Sequence, residues 1–209
     1  MSSAVAFHAG QLARNLLAGA RLALFLPLRA RSYRASAGQF ALLVLVNFVL
    51  WLAAAGVRSH FEGDFDPTSL SVYLASVAMT LTTAFLVAWA YRALERLLLF
   101  AVAFSASDAL FYVSWMACIA AGAAEYNPKL LDLAYMLWPW LASLRAAVVC
   151  GGWRWPRVVL AWLAVTVTAA AALYVIPDAD VWQLPDDDED QLEAHLPSTT
   201  PGQDSCPRT

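Results

Sequence analysis

Asp108 is the residue in this sequence whose type and position point most clearly to chemistry. It lies near the middle of an apolar stretch, residues 97–123, where an ionised carboxylate is costly unless it is protonated, paired, or facing protein or water. Ser105, three residues earlier, would share its helix face and could offer a hydroxyl donor. Two interpretations stay open: a contact in a proton, ion or substrate path, or a hydrogen bond between helices.

A second ionisable residue, Arg145, interrupts the apolar stretch 130–150 near its end. At a rise of about 1.5 Å per residue, it would lie about 7 Å from the membrane surface, and Asp108 about 16 Å. A long side chain at that depth can snorkel to the headgroups. We therefore predict a snorkelling Arg145, with Asp108 as the alternative partner.

Motifs for catalysis or metal binding are absent from the sequence. It contains no HExxH, no GxSxG, no phosphate-binding glycine loop and no CxxC, and its three histidines lie outside the apolar stretches. His60, Glu62, Asp64 and Asp66 could together hold a cation, but a solvated acidic turn is the preferred interpretation. The prediction is a protein that is not an enzyme and has no metal and no cofactor.

The composition shows which environment must hold these residues. Of 209 residues, 61% are hydrophobic and 14% are charged, against about 25% charged in soluble domains. So few charges cannot cover a water-soluble fold, whereas a lipid-facing surface needs none. No basic face suggests nucleic-acid binding. The lipid bilayer is the expected surrounding.

Five apolar stretches are long enough to cross the hydrocarbon core, which takes about 20 residues in a helix. They are residues 39–57, 68–91, 97–123, 130–150 and 158–176. The connections between them are short, so neighbouring helices should be antiparallel. The predicted fold class is all-α, a polytopic membrane helix bundle with about five transmembrane helices.

The basic residues predict how this bundle is oriented, because Lys and Arg are retained on the cytoplasmic side. Of the 13 Lys and Arg residues, only Arg58, Lys129 and Arg208 fall on one side of the alternating helices, and the other ten fall opposite. We predict a multi-pass protein of the cell membrane with its N-terminus in the cytoplasm and its C-terminus outside.

Two further segments flank the predicted membrane domain, residues 39–176. Within residues 1–38, Arg14 and Arg21 share one face of an amphipathic helix with mostly aliphatic residues opposite. They are predicted to contact headgroups from the cytoplasmic interface, and the alternative is that the helix packs under the bundle as a cytoplasmic cap. Residues 177–209 contain five prolines and the acidic run 186–190, which predicts a disordered tail.

The second half of the chain carries a resemblance to a known family. Residues 100–107 (FAVAFSAS) are similar to the alanine-rich third span of the bacterial branch of the Yip family, the Ypt/Rab-interacting membrane proteins. Residues 137–143 (LWPWLAS) and 152–159 resemble its hairpin of fourth and fifth spans. The resemblance implies a non-enzymatic membrane protein that acts through helix contacts and protein partners, and it transfers no functional residues.

Two functions follow as expectations. The first is a structural, scaffolding or interaction role, as a subunit of an envelope assembly with protein partners or as a homo-oligomer. The alternative is a small transporter or export component that uses Asp108. Asp108→Asn separates them, because an amide keeps hydrogen bonding but ends ion coupling.

Overall fold

The computed structural model describes residues 2–59, 64–122, 128–175 and 182–183. This part of the chain forms six α-helices: α1 (Ser2–Ala23), α2 (Ala37–Arg58), α3 (Ser69–Ala90), α4 (Leu97–Ala120), α5 (Pro128–Gly151) and α6 (Trp155–Val175). Ala30–Ser32 and Leu94–Arg96 form 3-10 turns, and the two-residue strands β1 (Asp64–Phe65) and β2 (Trp182–Gln183) pair antiparallel. The predicted all-α class is confirmed.

Helices α2 to α6 coincide with the five predicted spans, and no end differs by more than three residues. Four helices among the described residues are long and apolar enough to cross a membrane: Ala37–Arg58, Ser69–Ala90, Leu94–Ala120 and Leu133–Gly151. The fifth, α6, has a shorter apolar part, Trp155–Ala171. The chain is an integral membrane protein with four to five spanning helices.

Helix α4 lies at the centre of the bundle and packs against α1, α2, α3 and α5. Its first half contains several small side chains, and the buried ones include Ala101, Ala103, Ala106 and Ser107. Small residues allow neighbouring backbones to approach closely in a membrane. Helices α3, α4, α5 and α6 form a ring in which each packs against the next, while α1 and α2 cover α4 from outside it.

Polar side chains attach the middle of α1 to the start of α2. Asn15 is fully buried, exchanges hydrogen bonds with the backbone of Arg34 at 2.8 and 3.1 Å, and donates to Gln39 Oε1 at 3.3 Å. Gln39 Nε2 in turn donates to the His8 carbonyl at 3.3 Å. A buried amide is stable only when its donors and acceptors are paired, and these bonds satisfy both side chains.

The last turns of α1 lie beside the middle of α4 and α5. Gly19 contacts the backbone of Ala106 directly, and Ala23 forms a buried cluster with Phe111 and Ala142. Because Asn15 meets the start of α2 while Ala23 meets the middle of α5, the helix runs into the bundle and ends partway through it. Helix α1 thus packs against α4 and α5, and its location at the membrane interface, or under the bundle as a cytoplasmic cap, stays a prediction.

Several predicted features lie outside the described residues. They are the tail apart from residues 182–183, and His60 and Glu62 of the candidate cation turn. Among the residues that the structure describes, no group of three or more His, Cys, Asp or Glu side chains is arranged to hold a metal ion.

Asp66 organises the start of α3. Its carboxylate accepts hydrogen bonds from the Thr68 backbone at 2.8 Å and the Thr68 hydroxyl at 2.5 Å. These bonds favour the ionised form and hold the pKa of Asp66 below its ordinary value of 3.8. The stabilising contribution of this carboxylate is therefore present above pH 3.8. It is lost as the pH falls through the lower pKa that Asp66 has in the folded protein.

We expect the amide proton of Thr68 to shift as the pH is lowered, with a midpoint below 3.8, the ordinary pKa of this carboxyl. NMR titration of the protein in detergent would measure this shift. In Asp66→Asn the same amide should show no such transition. A transition that persists in this variant would mean that another group titrates there.

Candidate intramembrane site

A cavity of about 550 Å³, open to the outside of the bundle, is lined by α3, α4, α5 and α6. Most of its wall is apolar, and polar lining residues come from each of the four helices. Those residues are Ser76, Thr80, Thr83, Asp108, Tyr135, Trp140, Ser143, Thr166 and Thr168. This volume falls within the range of about 300 to 1,000 Å³ that is usual for small-molecule sites.

Among the residues that the structure describes, Asp108 is the one acidic or basic residue that lines this cavity. In the described part of the chain its carboxylate has no hydrogen-bond or salt-bridge partner, and the single ion pair there joins Glu95 to Arg96 at 3.9 Å. The predicted neighbour Ser105 is buried at the contact with α2, where its carbonyl accepts from Asn47 Nδ2 at 2.8 Å. The carboxylate is therefore available to a group that enters the cavity.

The hydroxyls that line this cavity donate mainly to carbonyls of their own helices, and some also take part in hydrogen bonds between helices. Thr83 Oγ1 donates to Thr168 Oγ1 at 2.9 Å and so joins α3 to α6. Trp140 Nε1 donates to Thr166 Oγ1 at 3.2 Å and joins α5 to α6. Since Thr166 and Thr168 themselves donate to carbonyls of α6, the wall presents few unused polar groups apart from the carboxylate.

Pro139 lies within α5 and lines the same cavity. Proline has no backbone N–H, so the carbonyl of Tyr135, four residues earlier, loses its helical donor. Tyr135 is itself a lining residue. The middle of α5 thus has a backbone acceptor without its helical donor, in a residue that lines the same cavity as Asp108.

In the part of the chain that the structure describes, Arg145 does not pair with Asp108. It contacts the end of α1 instead. Its Nη1 donates to the Leu22 carbonyl at 3.1 Å and its Nη2 donates to the Leu26 carbonyl. Trp138 Nε1, from the same helix, donates to the Ala23 carbonyl at 2.7 Å. The last carbonyls of a helix lack donors and carry partial negative charge, so a guanidinium and an indole complement them.

The chain leaves α1 in an unusual conformation beside this cap. Phe25 has φ of 57°, a left-handed conformation that costs a non-glycine residue roughly 1 to 2 kcal/mol. The guanidinium of Arg145 lies 5.2 Å from the centre of the Phe25 ring, a favourable cation–π distance. Sequence reasoning missed this cap because nothing local in α5 indicates that another helix ends against it.

The two N-terminal arginines are not among the residues that line the cavity. Arg14 Nε donates to the Ser32 carbonyl at 3.1 Å, so it braces the turn after α1. Arg21 is exposed in the last turn of α1. Their contact with lipid headgroups stays a prediction.

Comparison of the chain with known protein families, with curated proteins and with solved structures finds no match.

Proposed function

We propose that this integral membrane protein is a small transporter or export component, and that the open cavity lined by Asp108 takes a compact, largely apolar solute bearing a positive charge. One observation carries the proposal: Asp108 lines a cavity of about 550 Å³, and its carboxylate has no hydrogen-bond or ion-pair partner among the described residues. An ionised carboxylate in an apolar wall needs a compensating positive charge. A cationic solute would supply it, and the wall would accommodate the apolar remainder.

Asp108→Asn should weaken binding of tetraphenylphosphonium, an apolar monovalent cation, to the purified protein in detergent. Truncating one side of a buried charge pair costs about 2 to 5 kcal/mol, so the dissociation constant should rise at least about 30-fold. Equilibrium dialysis measures it. Glu95→Gln, which removes the same charge from an exposed side chain, should leave the affinity unchanged.

Transport is tested separately, with tetraethylammonium uptake into proteoliposomes. Wild-type protein should support saturable uptake and Asp108→Asn should not, at equal reconstituted amounts. Unchanged binding and unchanged uptake in Asp108→Asn would overturn the proposal. That result would favour the structural, scaffolding or interaction role in an envelope assembly, which stays the alternative expected from the sequence.

We also propose, from the distribution of Lys and Arg, that the protein lies in the cell membrane with its N-terminus in the cytoplasm and its C-terminus outside. The likeness to the Yip family stands beside this as a further proposal. It is compatible with either role, because the likeness concerns apolar helix patterns and assigns no residue of the cavity.

A further inference from the structure

A second cavity, of about 370 Å³, lies between α5 and α6 close to the connection that joins them. Its walls are built from hydrocarbon and aromatic side chains that include Leu144, Val148, Val159 and Trp162. Leu144 lies seven residues before the end of α5, and Trp162 seven after the start of α6. At about 1.5 Å per residue the groove is therefore about 10 Å deep.

Positive charge is concentrated at the mouth of this groove. Arg154 and Arg157 belong to the connection and to the first turn of α6, and their side chains have no ion-pair partner among the described residues. Trp155 and Val158, which follow Arg154 and Arg157 in the sequence, line the groove. Arg96 is already engaged, since it donates to the Cys150 carbonyl at 3.1 Å and lies beside Glu95.

Exposed tryptophan rings indicate that the mouth of this groove lies at the edge of the bilayer. Trp153 and Trp155, on either side of Arg154, are 70% and 67% exposed, and tryptophan is enriched at the level of the lipid headgroups. Trp162, deeper in the groove, is also exposed. The groove thus begins near the headgroups and continues into the hydrocarbon region, where only apolar matter can fill it.

We propose that this groove binds an anionic phospholipid, with one acyl chain between α5 and α6 and its phosphate on Arg154 and Arg157. The charge at the mouth selects the headgroup, because guanidinium groups bind phosphate through charge-assisted hydrogen bonds. The dimensions of the groove favour an acyl chain as its occupant, because a helix of a partner protein is about 10 Å wide and would not enter a groove of this volume. This site is distinct from the Asp108 cavity and does not depend on the function proposed for it.

Native mass spectrometry of the purified protein with added phosphatidylglycerol or phosphatidylcholine tests the headgroup. The wild type should retain phosphatidylglycerol preferentially. The double variant Arg154→Gln/Arg157→Gln should lose roughly 30-fold in affinity, as expected for two basic residues at a lipid surface. The matched double variant Arg29→Gln/Arg31→Gln, in the connection after α1, should lose less than threefold.

A second pair of variants tests the acyl chain and leaves the arginines in place. Val159→Trp fills the groove from a partly exposed position and should lower retention of phosphatidylglycerol at least fivefold, whereas Leu163→Trp, exposed on α6 outside the groove, should not. Equal affinity for both lipids, equal losses in the two arginine doubles, or equal effects of the two tryptophans would each overturn the proposal.

Discussion

Arg145→Gln is expected to free the end of α1 from the bundle. The guanidinium donates to two carbonyls of α1 and its C-terminal turn, those of Leu22 and Leu26, and it stacks against Phe25. Hydrogen bonds to charged groups contribute about 1.5 to 3 kcal/mol each, and glutamine cannot span both carbonyls. We expect α1 to lose about 2 to 4 kcal/mol of local stability.

Hydrogen exchange of the α1 backbone, followed by mass spectrometry, measures this loss. Protection of the last two turns should fall roughly 30- to 1,000-fold, while α2 to α6 keep theirs. Arg145→Lys keeps the charge without the planar fork and should give an intermediate loss. Arg31→Gln, at an exposed position, is the control. Full protection in Arg145→Gln would mean that α1 is held mainly by packing.

The spanning helices could be predicted closely because each is specified locally. A run of about 20 apolar residues between charged or turn-forming residues has one low-energy solution in a bilayer, a helix. Arg58 and Arg96 accordingly stand at or beside the ends of α2 and α4. The position of α1 could not be predicted in the same way. It depends on Asn15, Gly19 and Ala23, which meet partners between 19 and 119 residues away.

The candidate site was predictable in part for the same reason. Asp108 is visible in the sequence because a carboxylate within an apolar stretch is costly wherever the helix lies. The hydrogen bond between Thr83 and Thr168, which closes the opposite side of the ring, joins residues 85 positions apart. Threonines in apolar helices usually bond to their own backbone, so neither residue signals such a contact.

Gly19→Ala should destabilise the protein because α1 meets α4 there without room for a side chain. A Cβ atom at Gly19 would lie 2.1 Å from the Ala106 carbonyl oxygen and 2.8 Å from the Ala106 Cβ. The carbonyl belongs to the backbone of the central helix, so it cannot rotate away, and α1 would have to move. Overpacking of this kind costs about 1 to 3 kcal/mol, which exceeds what alanine gains over glycine within a helix, about 0.5 to 1 kcal/mol.

Gly10→Ala makes the same change nine residues earlier on α1, where a Cβ would meet nothing within 4 Å. There only the gain in helix propensity remains, so this variant should unfold at the wild-type temperature or slightly above it. Thermal unfolding in detergent, followed by circular dichroism, compares the two. The two variants make the same substitution in the same helix. A difference between their unfolding temperatures is therefore due to the contact of Gly19 with α4. If both glycines tolerate alanine equally, α1 does not rest on α4 at Gly19.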